Sequence, residues 1–278
     1  MVRTQLKFAY SLSMVIAFLL TVASASGLFI ADFYRDNTLV AAALRGNDLV
    51  SLVVAVPLLV IALVFSLRGS QKAQLLWLGM LGYTLYNYAF YLFGAAFNPL
   101  FLIYVMLFSL SIFALIFGLP KVDIYGISQR FNPRTPVKWI GGFMLFFAVF
   151  LGGMWISRSL NFIITGKIPQ DIIQTGHPTS IVYALDLSLL IPFLVLGAFL
   201  LWQRQPWGYI LSAMLMIKCS TYVLSFFVLS GFAANAGVPR AWNLEPLWAV
   251  FGVASLLATA LLLQNLQSTK IRQRNLIT

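Results

Sequence analysis

The sequence has too few charged residues to cover the surface of a soluble protein of its length. Of its 278 residues, only 9% are charged, whereas 61% are hydrophobic and 15% are aromatic. A soluble domain carries about 25% charged residues, because its surface is in contact with water. A surface that faces lipid needs no such contacts, provided that helices satisfy the backbone polar groups internally. The composition therefore predicts an all-α, polytopic membrane protein whose surroundings are the lipid bilayer.

Cysteine and histidine occur once each, which excludes several kinds of site. Because Cys219 is the only cysteine, an internal disulfide and a CxxC metal or redox site are excluded. Because His177 is the only histidine, a bis-histidine haem and any histidine cluster are excluded as well. The HExxH and GxSxG motifs of zinc hydrolases and serine hydrolases are also missing. We therefore expect no metal and no cofactor.

The excess of basic residues gives a formal net charge of +11. Such a charge can indicate a nucleic-acid partner, but here the basic residues form short clusters between apolar runs and in the C-terminal tail. No segment combines a basic stripe with an independent fold. Membrane topology and attraction to anionic lipid explain the charge more simply, so we expect no nucleic-acid partner.

Apolar runs long enough to cross a membrane recur along the whole chain, since a spanning helix needs about 20 apolar residues. Eight such runs lie near 8–30, 48–67, 74–96, 99–119, 138–158, 180–203, 207–231 and 244–266. The first also fits a signal peptide, with Ala23-Ser24-Ala25 as the cleavage pattern. Because the run continues past that pattern to full spanning length, we expect it to be retained as the first of about eight membrane helices.

The lysines and arginines are distributed unequally between the two sides of these spans. Twelve of the eighteen fall on the side of the N-terminus, five fall on the other side, and Lys218 lies inside a span. Lysine and arginine accumulate in cytoplasmic loops. We therefore expect both termini to be cytoplasmic in a plasma membrane of the bacterial or archaeal type.

The two halves of the sequence carry similar landmarks in the same order. The matched segments are Val56-Pro57 and Ile191-Pro192, Trp77 and Trp207, Pro99 and Pro246, and Phe8 and Trp139. These matches predict a tandem duplication, with a first four-helix repeat at 1–137 and a second at 138–278. Repeats with four spans each run parallel and are related by an axis along the membrane normal, so we expect a site at their interface.

Lys218 is the charge that topology does not explain. It lies near the middle of the seventh span, where a lysine costs about 2.5–3.5 kcal/mol and usually faces the bundle interior or a water-filled cavity. It is interpreted either as a cation that binds a solute or as a structural residue paired inside the bundle. Asp186 in the sixth span is its candidate partner, directly or through a water or a small anion.

Phenolic side chains are concentrated in the third span, around Asn87 and Tyr91. These two residues are four apart and share a helix face, as do Lys218 and Tyr222. If the repeat holds, Asn87 takes the place of Lys218 in the first half. A cavity lined by polar groups would explain this pattern, and so would hydrogen bonding between packed helices.

On the side opposite the termini, Arg158, His177 and Glu245 are candidates for the rim of a vestibule. The segment His177-Pro178-Thr179-Ser180 is typical of a loop that ends in a helix cap, which makes His177 either a solvated loop residue or a proton carrier. Asp48 is interpreted as the start of the second helix.

Three classes of function remain open. The first is a transporter or channel for a small polar or anionic solute, with Lys218 and Asp186 between the halves. The second is an accessory, sensory or assembly subunit whose helices dock onto membrane partner subunits. The third is a membrane-embedded enzyme acting on lipid, for which the sequence offers no convincing pair of nucleophile and base.

Overall fold

The computed structural model describes residues 6–238 and 245–267, with only the backbone described at Glu245 and Pro246. This part of the chain is helical and contains no β-strand. Its long helices are α1 (Lys7–Phe29), α2 (Thr38–Leu67), α3 (Gln71–Gly94), α4 (Phe101–Gly118), α5 (Val137–Thr165), α6 (Ile181–Trp202), α7 (Pro206–Asn235) and α8 (Glu245–Asn265).

Seven of the long helices are long and apolar enough to cross a membrane. The exception is α3, which has 24 residues but is rich in tyrosine and also carries glutamine and asparagine. Fifteen of its residues are buried, so the polarity of α3 faces protein and not lipid. The predicted all-α membrane bundle is confirmed, with α3 as its most polar helix.

The second helix begins ten residues earlier than the sequence indicates. Asn37 caps it, because its side chain accepts a hydrogen bond from the Val40 amide at 2.9 Å. The interpretation of Asp48 as the start of this helix is therefore wrong. Asp48 lies eleven residues beyond the cap, and only 1% of its surface is exposed. The polar run Arg45-Gly46-Asn47-Asp48 interrupts the hydrophobic pattern but does not interrupt the helix.

Hydrogen bonds between loops define two faces of the bundle. On the first, the α4–α5 connection meets the end of α8, where the Asn132 amide donates to the Asn265 carbonyl at 2.9 Å. Arg204, between α6 and α7, donates to the Pro133 carbonyl on this same face at 3.0 Å. On the opposite face, Asn37 donates to the Gln174 carbonyl at 3.0 Å, which joins the α1–α2 and α5–α6 connections.

Helices α3 and α7 form the centre of the bundle and pack against each other. Their close approach depends on Gly79, where an added Cβ would lie 2.6 Å from Cβ of Ile217. In addition, α3 packs against α2 and α4, while α7 packs against α2, α6 and α8. Helix α2, which precedes α3 in the sequence, and helix α6, which precedes α7, therefore pack against this central pair.

Both α2 and α6 contain one wide turn at the same point relative to a proline. In α2 the π-helical segment is Ser51–Ala55, and in α6 it is Asp186–Leu190. The residue before each proline, Val56 or Ile191, donates to a carbonyl five residues earlier instead of four. Such π-bulges are uncommon in helices and occur frequently at functional sites.

The turns that follow these helices also have the same backbone geometry, 135 residues apart. Gly69 and Arg204 both adopt positive φ, at 87° and 53°. The next residue in each turn, Ser70 or Gln205, donates its amide to a carbonyl five residues back, at 3.0 Å and 2.9 Å. Because α3 and α7 continue unbroken from these turns, the same offset relates Lys218 to Tyr83. The sequence comparison pairs Lys218 with Asn87 instead, one helical turn further along α3, and this correspondence stays a prediction.

Candidate functional site

A cavity of about 230 Å³ lies among α2, α3, α5, α6, α7 and α8. We call it the central cavity. Its lining includes the polar side chains of Asn47, Asn87, Trp155, Asp186, Tyr222 and Trp248. Of the residues predicted for the site, Asn87, Asp186 and Tyr222 are therefore brought together at one cavity. It is bordered by helices from both halves of the sequence.

Asp186 is held at this cavity by two hydrogen-bond donors. Tyr86 donates its hydroxyl to Oδ1 at 2.6 Å, and Trp155 donates Nε1 to Oδ2 at 2.9 Å. Only 4% of the surface of Asp186 is exposed. The two donors come from α3 and α5, so the carboxyl group of α6 joins three helices. Asp186 also begins the π-helical segment, which fixes its position on the helix.

Lys218 does not form an ion pair with Asp186. In the described part of the chain, the ion pair found is Arg158–Asp171. Nζ of Lys218 instead lies over the Tyr86 ring, 3.4 Å from its centroid, and 4.6 Å from the centroid of Tyr222. Tyr86 thus connects the two charges, because its ring face contacts the cation while its hydroxyl binds the carboxyl group. Cation–π contacts of this kind stabilise a desolvated ammonium group.

No hydrogen-bond partner is found for Nζ of Lys218 within the described residues, although the side chain is only 4% exposed. An ammonium group has three N–H donors, and a buried donor without an acceptor costs about 1–3 kcal/mol or more. The cation is therefore stabilised by aromatic faces on one side and is left with unsatisfied donors. A small acceptor at this position would satisfy them.

A second cavity, of about 210 Å³, is lined by Lys218 and is called the lateral cavity. Its walls come from α3, α4, α6 and α7 and are almost entirely apolar, with Lys218 and Tyr86 as its polar members. The side chains of Leu189 and Phe193 in this wall are exposed on the outer surface of the bundle. Lys218 and Tyr86 line this cavity, and both contact the ring of Tyr222, which lines the central cavity.

Behind the central cavity, a network of neutral polar groups joins α2, α3 and α7. Nδ2 of Asn47 donates to Oδ1 of Asn87 at 2.6 Å and to the Tyr91 hydroxyl at 3.2 Å. The Tyr83 hydroxyl lies 3.2 Å from the hydroxyls of both Ser51 and Ser225. The predicted shared face of Asn87 and Tyr91 is present, because both contact Asn47. Tyr91 is one layer removed from the cavity.

Asp48 lies at the end of this network. It accepts hydrogen bonds from the hydroxyls of Tyr34 and Tyr91, the latter at 2.9 Å. Burial and, secondly, the Asp48 carboxyl group raise the pKa of the Tyr34 phenol, which therefore remains a donor. Gly27 of α1 leaves room for this pair, since an added Cβ would overlap both the carboxyl group and the phenol oxygen.

The predicted vestibule residues lie on the opposite face but do not form one group. Arg158 belongs to α5, which extends seven residues beyond the predicted span, and its Nη1 binds Asp171 at 3.0 Å and Tyr183 at 3.2 Å. His177 borders a separate surface pocket of about 650 Å³ and lies edge-on to Phe90. The predicted helix cap at Ser180 is confirmed, since its hydroxyl accepts from the Tyr183 amide. The Glu245 side chain lies outside the described residues.

Several residues of the site were not predicted from the sequence. Tyr86 and Trp155 were missed because aromatic residues are common in membrane helices and their partners are distant in sequence. Asn47 and Asp48 were missed because they were assigned to a helix start. The density of tyrosines in α3 was the available signal for Tyr86, and the Asn37 cap was the available signal for a longer α2.

The site combines a buried carboxyl group, a buried ammonium group and neutral hydrogen-bonding side chains. Across residues 6–238 and 247–267, no three histidine, cysteine or acidic side chains come together to hold a metal. Comparisons of the chain with protein families, curated proteins and solved structures find no match. A function can therefore be inferred only from the geometry of the membrane-embedded site.

Proposed function

We propose that this membrane protein moves a small polar or anionic solute across the bilayer, with its binding site between the two halves. Lys218 is the observation that carries the proposal. Its ammonium group is buried, has no hydrogen-bond acceptor in the described structure and lines the lateral cavity, while the Tyr222 ring that it contacts lines the central cavity. A polar group within the membrane is costly and usually marks a substrate or ion pathway.

The volume of the central cavity restricts the class of solute. Cavities for drug-sized ligands have volumes of about 300–1,000 Å³, so the 230 Å³ found here fits a smaller molecule. The amides of Asn47 and Asn87 and the Tyr222 hydroxyl offer neutral hydrogen bonds, while Lys218 supplies a positive charge next to them. A small anion would supply acceptors for the N–H donors of Lys218. The ring of Tyr222 contacts the ammonium group and also lines the central cavity.

We further propose that the halves 1–137 and 138–278 are parallel repeats that move relative to each other. This proposal is supported by the matched wide turns and prolines of α2 and α6, and by the matched turns that follow them. The cavity lies where helices of the two halves meet, as in transporters built from repeats. A π-bulge and a proline in each flanking helix supply points at which the helix can bend.

We also propose that the face carrying the α4–α5 connection is cytoplasmic and that the membrane is a plasma membrane. The support is the excess of lysine and arginine on that face. Reporter domains fused after Asn132 and after Gly166 would test the orientation. A reporter that is active only in the cytoplasm should function after Asn132 but not after Gly166, and the reverse result would overturn it.

The transport proposal is tested by solute entry into proteoliposomes, followed by light scattering as the vesicles reswell. The test solutes are two neutral molecules, urea and glycerol, and the potassium salts of nitrate, lactate and phosphate with valinomycin present. At least one of them should enter faster than into protein-free liposomes. Lys218→Met should slow that entry by about tenfold or more, because loss of a buried charged contact costs about 2–5 kcal/mol.

Leu256→Met is the matched control, since Leu256 is 60% exposed on α8 and faces lipid. It should leave entry unchanged, and both variants should elute from size-exclusion chromatography as the parent protein does. Two outcomes would contradict the proposal. One is that none of the five solutes enters faster than into protein-free liposomes, and the other is that Lys218→Met transports as fast as Leu256→Met.

A further inference from the structure

The second buried carboxyl group, Asp48, has surroundings that differ from those of every other acid in the described chain. It lies about 16 Å along α2 from the Asn37 cap and is 1% exposed. The nearest basic side chain on its own helix, Arg45, is exposed and donates to the Leu28 carbonyl at 3.2 Å. No ion pair to Asp48 is found within the described residues.

The titratable groups that face Asp48 from the packed helices are all phenols apart from Arg45. They are Tyr34 from the α1–α2 connection, Tyr83, Tyr88 and Tyr91 from α3, and Tyr104 from α4. Phenols are neutral and offer hydrogen bonds, but they do not compensate a negative charge. An ionised carboxylate without a cation is costly when removed from water, so this environment favours a neutral acid.

The Tyr91 hydroxyl makes more polar contacts than its own hydrogen and that of Asn47 can fill. The Tyr91 oxygen has three polar neighbours, namely Nδ2 of Asn47 at 3.2 Å, the Leu44 carbonyl at 3.0 Å and Oδ1 of Asp48 at 2.9 Å. Asn47 donates to Tyr91, and the single hydroxyl hydrogen of Tyr91 serves one of the two remaining oxygens. The Leu44 carbonyl has no hydrogen to give.

The contacts of Tyr91 with Leu44 and with Asp48 can both contain a hydrogen only if Asp48 supplies one. Oδ1–H of Asp48 then donates to Tyr91, and the Tyr91 hydroxyl donates to the Leu44 carbonyl. Oδ2 of Asp48 continues to accept from Tyr34. In this arrangement each short contact contains one hydrogen. If Asp48 were ionised, the single hydroxyl hydrogen of Tyr91 could serve only one of its two oxygen neighbours. The Tyr91 oxygen would then face the other neighbour, Asp48 or Leu44, with no hydrogen between the two oxygens.

We propose that Asp48 is a proton-binding site that carries a proton at neutral pH and is linked to the central cavity. The link consists of two hydrogen bonds, one between Asp48 and Tyr91 and one between Tyr91 and Asn47, and Asn47 itself lines the central cavity. This second part rests on the proposed function. If an anion occupies the central cavity, it favours the neutral form of Asp48, so anion binding and proton binding strengthen each other.

Infrared spectroscopy of the purified full-length protein without solute tests the proton site directly. At neutral pH the parent protein should show the C=O stretch of a protonated carboxyl group, shifted in D2O. Asp48→Asn should abolish this band, whereas Asp186→Asn should retain it. The proposal is overturned if the parent protein lacks the band or if Asp48→Asn keeps it.

A second variant keeps the test decisive if Asp48→Asn does not fold. Tyr91→Phe preserves the carboxyl group but removes one of its hydrogen-bond partners, so it should shift the frequency of the band. An unshifted band in Tyr91→Phe would overturn the assignment to Asp48. Because no solute is present, the infrared result does not depend on transport. Failure of the proteoliposome test with an intact band would remove only the proposed function and its link to the proton site.

Discussion

The two buried acids in the described part of the chain, Asp48 and Asp186, are both held by tyrosine hydroxyls, but their electrostatic surroundings differ. Asp186 accepts from Tyr86 and Trp155, and Tyr86 carries the Lys218 ammonium group on its ring face. Asp48 is hydrogen-bonded to the hydroxyls of Tyr34 and Tyr91 and has no ion pair in the described structure. One acid therefore lies near a compensating cation, and the other does not.

Under the proposed function, this difference would give the two acids separate roles. At the wide turn of α6 the chain places an acid, Asp186, whereas the corresponding position in α2 is Ser51. Asp186 lines the central cavity, and Lys218 lines the lateral cavity. The neutral network of the first half lies behind the central cavity and can hold a proton. Variants at Asp186 and Asp48 should therefore differ in stability and in their response to loss of the Lys218 charge.

The largest expected effect is the loss of stability in Asp186→Ala, because it leaves the Lys218 charge without its nearest counter-charge. Removing one partner of a buried charge pair costs about 3–5 kcal/mol. Adding Lys218→Met should recover a large part of this loss. Thermal unfolding in detergent measures both variants, and a double variant as unstable as Asp186→Ala would show that the two groups are not coupled.

Asp48→Ala should behave differently in the same measurement. It removes the hydrogen-bond partner of two phenols, at a cost of about 1–3 kcal/mol, but it leaves no cation unpaired. Lys218→Met should therefore not restore the stability of Asp48→Ala. Recovery of similar size in both backgrounds would contradict the distinction between the two acids.

Gly27→Ala should destabilise the first half, because its methyl group would displace the Asp48 carboxyl group and the Tyr34 hydroxyl. Overpacking of this kind costs about 1–3 kcal/mol. Gly153→Ala is the matched control, since the structure shows no atom within 4 Å of an added Cβ there. The control should be neutral or more stable by up to about 1 kcal/mol, and equal behaviour of the two variants would contradict the close contact at Asp48.

Ser51→Ala should have a smaller effect, of about 1 kcal/mol, through the loss of contacts to Tyr83 at 3.2 Å and Asn87 at 3.5 Å. The wide turn itself should persist, since it is formed by backbone groups. A crystal or cryo-EM structure of the variant would show whether Val56 still donates to the carbonyl of residue 51. Conversion to a regular helix would mean that the serine side chain maintains the turn.

The smallest expected effect is that of Asp48→Asn, which should change the free energy of unfolding by less than about 1 kcal/mol. The amide can donate to Tyr91 and accept from Tyr34, as a protonated carboxyl group does. Thermal unfolding between pH 6 and pH 9 measures this together with its pH dependence. If the parent protein loses stability on deprotonation of Asp48 at high pH, Asp48→Asn should lose less.

The sequence was sufficient to predict most of the helices, because long apolar runs have few alternatives to membrane helices. It also identified Lys218, Asp186, Asn87 and Tyr222 as interior polar residues, since a charge in an apolar run is conspicuous. It did not reveal that Tyr86 separates Lys218 from Asp186. That arrangement depends on the rotation of α3, α6 and α7 about their own axes, which hydropathy does not determine.

The start of α2 shows a second limit of the sequence. The hydropathy of the chain falls at Arg45, Asn47 and Asp48, as it would in a loop. Only tertiary packing distinguishes a loop from a helix that buries these polar side chains. The structure buries Asn47 and Asp48 against α1 and α3 while Arg45 points outward. The π-bulges are likewise invisible in composition, although the prolines that follow them are not.

The central claim is that water and a small solute reach a cavity between the halves, next to Lys218. Thiol accessibility tests it most directly, in a Cys219→Ser background that removes the only native cysteine. Tyr222→Cys, at the central cavity, should react with a membrane-impermeant methanethiosulfonate reagent, whereas Ala198→Cys, fully buried on α6, should not. If Tyr222→Cys in the folded protein is as unreactive as Ala198→Cys, the cavity is closed to water and the transport account is contradicted.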